Sequence, residues 1–149
     1  MLSATGLTHW SMPVSDLEVS EAFYRDFLGL EMRGRLGSGR ATCFRVGEVN
    51  FIIWETGAAL DPGIEGSGVH HAFTVAPEVW EQAVVAIHEQ HVPLSDPPIV
   101  YRKKGTFPGR EIYIFDPSGN RIELTDPTWQ VGMPEPSFDE ILAGALSVK

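Results

Sequence analysis

The chain repeats its own order of elements, and that repetition limits its possible folds more than any other feature. His9, Val14 and Asp16 stand at a constant offset of 61 from His70, Val75 and Pro77. In each half a strand signal leads into an amphipathic helix, and three further strand signals follow. The first half reads as a strand over Leu7–Val14, then a helix capped by Asp16. Val19, Phe23, Phe27 and Leu28 form the apolar stripe of that helix, Gly29 ends it, and strands follow over Leu30–Leu36, Arg40–Val46 and Val49–Glu55. The second half reads as a strand over Val69–Val75, then a helix opened by Pro77 and carrying Trp80, Ala83, Val84 and Ile87. Strands over Pro97–Arg102, Glu111–Phe115 and Arg121–Thr125 complete it, with Asp116-Pro117-Ser118-Gly119 as the turn between the last two. The expected architecture is therefore α+β, with two βαβββ modules, about 5–55 and 68–127, in a single domain spanning 1–127. A Gly-rich linker, 56–67, separates them, and 128–149 form a C-terminal extension. The extension holds a capping box, Ser137 with Glu140, ahead of Phe138, Ile141, Leu142, Ala145 and Leu146, which predicts an amphipathic tail helix.

Composition narrows the partners. At 149 residues, with 43% hydrophobic and 21% charged, the chain suits one globular domain and excludes a disordered or fibrous reading. Its net charge of −9 argues against nucleic acid or an anionic membrane surface, and favours a neutral, cationic or metal-bound small molecule. The single Cys43 cannot form an internal disulfide, which fits a reducing compartment. Met1–Asp16 lacks a basic, apolar leader, and no stretch approaches the length of a membrane span, so a cytoplasmic location is expected.

Side chains alternate between the two faces of a strand, and this parity selects the candidates for chemistry. Trp10, Met12 and Val14 claim the packed face of the first strand and leave His9 and Ser11 on the other. Phe73 and Val75 take His71 inward, so His70, Ala72 and Thr74 lie opposite. Ile122 and Leu124 leave Arg121, Glu123 and Thr125 opposite, while Ile112 and Ile114 leave Glu111, Tyr113 and Phe115. His9, His70 and Glu123 thus share the faces not covered by helices. Two neutral imidazoles and one carboxylate suit a divalent metal with positions left open for substrate or water.

These residues carry a family resemblance. Leu7-Thr8-His9 with Val14-Ser15-Asp16, Phe23-Tyr24 with Leu28-Gly29-Leu30, His70-His71-Ala72-Phe73, and Tyr113 through Glu123 together resemble the vicinal oxygen chelate superfamily. That superfamily includes glyoxalase I, fosfomycin-resistance proteins, bleomycin-resistance proteins and extradiol dioxygenases. The resemblance runs from about Leu7 to Asp126. It implies an open, curved mixed sheet with helices on the convex face, and a metal held by His9, His70 and Glu123. It also implies a homodimer in which each site takes His9 from one subunit and His70 with Glu123 from the other. The ion would be Fe, Mn, Zn or Ni, with Fe(II) or Mn first.

The subtype follows from departures within the family. The fourth carboxylate ligand of glyoxalase I falls on Phe51 or Ile52 here, which leaves three ligands. The extradiol signature is reproduced from Tyr113 to Glu123, but Thr106, Gly105 and Lys104 occupy the positions of its second histidine. Lys103 sits where fosfomycin-resistance proteins place a phosphonate-binding lysine, whereas Phe107 and Glu111 replace their small hydroxyl residues. The resulting expectation is a metal-dependent enzyme, extradiol dioxygenase-like, acting on a small oxygen-rich substrate. Tyr113 is the expected catalytic hydrogen-bond donor or acid, and Ser11, Lys103 and Glu111 are the expected substrate contacts. The alternatives are glyoxalase, lyase or thiol-transferase activity, or a non-catalytic dimer of the bleomycin-resistance type.

Overall fold

Alternating burial along the first strand sets how the first half packs. The structure is a computed structural model, and it describes residues 4–57 and 68–147. In β1 (His9–Val14), Met12 and Val14 are buried while His9, Ser11 and Pro13 face outward, as the alternation predicts. The Asp16 carboxylate accepts the Val19 N–H at 3.0 Å and starts α1 (Leu17–Ala22). The chain then continues as a π turn over Phe23–Phe27, in which the Leu28 N–H donates to the Phe23 carbonyl at 3.0 Å.

The buried face of this helix differs from the expected stripe. Leu17, Ser20, Glu21, Phe23 and Tyr24 are buried, and Val19 is half exposed. Polar side chains occupy the inner face because they are paired there. Glu21 receives the Arg35 guanidinium at 3.0 and 2.9 Å together with the Thr42 hydroxyl, which offsets the cost of burying its charge.

The remaining strands of this half are β2 (Glu31–Leu36), β3 (Ala41–Val46) and β4 (Val49–Glu55). The sheet order is β1-β4-β3-β2, with β1 parallel to β4 and the other pairs antiparallel. Tyr24, Phe44 and Phe51 form its aromatic core, the Tyr24 and Phe51 rings 4.9 Å apart. Each such buried side chain contributes about 2 kcal/mol through removal from water.

The second half repeats the topology with its own sheet. Its elements are β5 (His71–Thr74), α2 (Pro77–Glu89), β6 (Leu94–Arg102), β7 (Gly109–Phe115) and β8 (Arg121–Asp126), in the order β5-β8-β7-β6. Trp80, Val84 and Ile87 are the buried residues of α2, matching the expected stripe. β6 begins at Leu94, three residues before its expected start, and its pairing with β7 is irregular between Leu94 and Ile99. Two compact units result. One comprises Met1–Gly63 with Pro117–Gly119, the other Ile64–Asp116 with Asn120–Lys149. Most of the expected linker, residues 58–67, lies outside the described residues.

The extension belongs to the second unit. The Tyr101 hydroxyl donates to the Pro136 carbonyl at 2.6 Å, and the Tyr101 and Trp129 rings lie 5.1 Å apart. The Ser137 hydroxyl and backbone N–H both donate to the Glu140 carboxylate, at 2.9 and 2.8 Å, forming the expected capping box. This opens α3 (Phe138–Ser147), which packs against α2 and buries Phe138. Among the described residues no helix is long and apolar enough to cross a membrane.

Candidate metal centre and substrate cavity

Strand register in the second unit brings the expected residues together. Glu123 on β8 is the cross-strand partner of Tyr113 on β7 and of Ala72 on β5, so these three share a face. His70 precedes β5 by one residue and falls on that same face, two positions before Ala72. His71, assigned inward by parity, is half-buried, and burial lowers its pKa.

The imidazole of His70 is held for ligation. Its Nδ1 lies 2.8 Å from the Gly68 carbonyl, which can only accept, so Nδ1 donates there and the ring presents Nε2 to the cavity. That Nε2 lies 3.1 Å from Oε2 of Glu123. The other carboxylate oxygen, Oε1, accepts the Thr125 hydroxyl at 2.7 Å, which leaves Oε2 to face the imidazole. An imidazole nitrogen and a carboxylate oxygen at this separation share a positive charge, which a proton or a cation can supply. The pair fits a divalent cation, with Gly68 and Thr125 orienting the two ligands.

This pair lines a cavity of about 640 Å³, whose walls also include Arg102, Glu111, Phe107 and Pro127. Arg102, which the sequence marks only as the end of a strand, is among them. Its Nε and Nη2 donate to the two carboxylate oxygens of Glu111 at 2.6 and 2.7 Å, and Nη2 also lies 3.1 Å from the Tyr113 hydroxyl. The pairing register places it there: Val100 is the partner of Glu111, so Val100 and Arg102 lie on the face of Glu111.

Glu111, an expected substrate contact, is almost wholly buried and reaches the cavity as the counter-ion of Arg102. Tyr113 donates its hydroxyl hydrogen to Glu111 at 3.0 Å. Burial, and then its hydrogen bonds to the Glu123 and Glu111 carboxylates, push this phenol well above its ordinary pKa, so it remains protonated at neutral pH. The Arg121 guanidinium lies 4.4 Å from the centre of the Tyr113 ring, and its buried Nε has no hydrogen-bond partner.

Three expected residues, Lys103, His9 and Ser11, are not among those that line this cavity. Lys103 does not line the cavity, and its Nζ lies 2.9 Å from Glu135 of the extension. β6 ends at Arg102, whose side chain lines the cavity, and Lys103 begins the loop that follows. His9 and Ser11 are exposed on β1 in the first unit. Among the described residues no group of three or more His, Cys, Asp or Glu side chains is placed to share a metal.

The family model of the Glyoxalase/Bleomycin resistance protein/Dioxygenase superfamily matches residues 6–124. The chain belongs to that superfamily. Its two four-stranded mixed sheets with their helices form the glyoxalase/dioxygenase-like α+β fold of the superfamily. Among curated relatives, the chain is 29% identical over 120 residues to glutathione transferase FosA of Serratia marcescens, covering 79% of this chain and 78% of that one. It is 28% identical over 124 residues to metallothiol transferase FosB of Staphylococcus epidermidis, covering 83% and 82%. Among solved structures, the fold is similar to a mutant of the fosfomycin resistance protein FosX from Listeria monocytogenes, with a TM-score of 0.66 at 20% identity. That match covers 83% of this chain and 92% of the other, which was solved with Mn(II) and 1S,2S-dihydroxypropylphosphonic acid.

Proposed function

We propose that this member of the superfamily is a divalent-metal-dependent transferase that joins a small thiol to an oxygen-rich electrophile bound in the second unit's cavity. The observation that carries the reading is the convergence of His70 Nε2 and Glu123 Oε2, 3.1 Å apart, on the cavity wall. His70 and Glu123 of one copy, with His9 of a second copy, would hold the ion. The transferase names of the FosA and FosB relatives support this choice over ring cleavage. When bound, a divalent ion supplies Lewis-acid polarisation of a substrate oxygen.

The chain's own residues provide orientation and exclusion. Gly68 fixes the His70 tautomer, and Thr125 fixes Glu123. Tyr113 keeps its proton and acts as a positioning residue, holding Glu111 and Arg102 in place. Phe107 and Pro108 supply an apolar wall. In the reaction a carbon–sulfur bond forms, a carbon–oxygen bond of the electrophile opens, and the released oxygen takes the thiol's proton.

The dioxygenase expectation is the second reading. The extradiol pattern calls for a proton-handling imidazole besides the ligands, and among the described residues lining the cavity His70 is the only histidine. Incubation of Mn(II)-loaded protein with glutathione and small epoxides, followed by thiol titration, tests the proposal. Metal-dependent thiol loss that disappears in Glu123→Gln supports it. Oxygen uptake with catechols and no thiol loss would establish the oxygenase instead, and neither activity would favour the binding dimer.

A further inference from the structure

Arg102 is the one permanent cation among the described residues that line the cavity, and it is already neutralised. Glu111 takes both Nε and Nη2 of its guanidinium in a two-pronged contact, and Tyr113 takes a second contact from Nη2. Nη1, with two hydrogens, has no partner among the described residues. The side chain is 39% exposed, whereas that of Glu111 is 1% exposed. The pair therefore presents hydrogen-bond donors to the cavity without presenting net charge. Arg121 lies on the same face but is stacked on the Tyr113 ring and does not line the cavity.

We propose that Glu111 is a specificity-determining residue: by cancelling the charge of Arg102 it selects substrates whose metal-distal end is an uncharged acceptor oxygen, and disfavours dianionic head groups such as phosphonates. A guanidinium free to fork onto a phosphonate would bind it through two charge-assisted hydrogen bonds. Here that fork is occupied from within the protein. A carbonyl, hydroxyl or ether oxygen needs only the hydrogens that Nη1 retains. An added dianion would either break the buried Glu111 pair or approach that carboxylate without compensation, and both are costly. The inference rests on the reading of this cavity as the substrate site.

Calorimetric titration with inorganic phosphate at pH 8, at equal Mn(II) occupancy, tests the proposal. Glu111→Gln releases the charge of Arg102, and its phosphate affinity rises at least tenfold over the unmodified protein. The double variant Arg102→Gln with Glu111→Gln removes both partners, which preserves neutrality and folding, and its phosphate affinity stays within about twofold of the unmodified protein. Equal affinities of Glu111→Gln and the unmodified protein would overturn the proposal. So would an unmodified protein that binds phosphate tenfold more tightly than the double variant, a comparison that remains available should Glu111→Gln fail to fold. Mn(II) titration of the same samples separates the two readings, because the Arg102 and Glu111 variants keep Mn(II) binding even where the phosphate result goes against the proposal.

Discussion

Arg110 on β7 pairs with Asp126 on β8 and ties that pair to α2. Its Nε donates to the Asp126 carboxylate at 2.8 Å, its guanidinium carbon lies 4.2 Å from the centre of the Trp80 ring, and Nη1 reaches Glu81 at 3.0 Å. Both side chains of the Arg110–Asp126 pair are largely buried. Removing one partner of a buried ion pair leaves the other charge uncompensated, so Arg110→Ala destabilises the protein by about 3 kcal/mol. Urea denaturation checks this. A loss below about 0.5 kcal/mol, the range of ordinary surface substitutions, would contradict it.

Gly109 opens β7 at a point where no side chain fits. Its φ is +152°, and a Cβ there would lie 2.7 Å from the Asp126 carbonyl oxygen and 3.1 Å from Cα of Pro127. Both neighbours are backbone, so relief requires β7 and β8 to shift, and this is the pair that carries Glu111 and Glu123. Gly109→Ala therefore costs about 2 kcal/mol of stability and weakens Mn(II) binding at the same time. Thermal melting with and without Mn(II) reads both effects.

Acid weakens the fold through two carboxylates. The Arg35 hydrogen bonds lower the pKa of Glu21 despite its burial. For Asp126, burial raises the pKa, but hydrogen bonds from Thr128 and Arg110 outweigh it and the net direction is down. A carboxyl whose folded pKa is depressed contributes stability above its unfolded value, about 4, and loses it as pH falls through the folded value. Stability therefore holds near pH 7 and declines below about pH 4, and Glu21→Gln flattens part of that decline. A midpoint in urea that is unchanged between pH 6 and pH 3 would refute this.

Much of the fold could be read in the sequence, because its signals are local. The βαβββ order appears in hydrophobic periodicity and turn residues, and the His9, His70 and Glu123 faces follow from alternation alone. The first helix was misread because Ser20 and Glu21 lie on its inner face, where Arg35 and Thr42, distant in sequence, compensate them. Arg102 was missed for a related reason. Its role depends on the pairing register of β6 with β7, which a Pro-containing strand with an irregular start conceals. Tyr113 was located correctly on its face. Its hydrogen bond to Glu111 depends on tertiary contacts that parity does not give.

Metal content of the protein purified without chelator tests the central claim most directly. The account predicts stoichiometric divalent metal in the unmodified chain, with affinity reduced roughly tenfold or more in each of His9→Ala, His70→Ala and Glu123→Ala. It further predicts that refolding a mixture of the His9→Ala and Glu123→Ala chains restores part of the binding, because one site of a mixed dimer keeps all three ligands. An unmodified protein that is isolated without metal and resists loading with Mn, Fe, Zn or Ni would contradict the account.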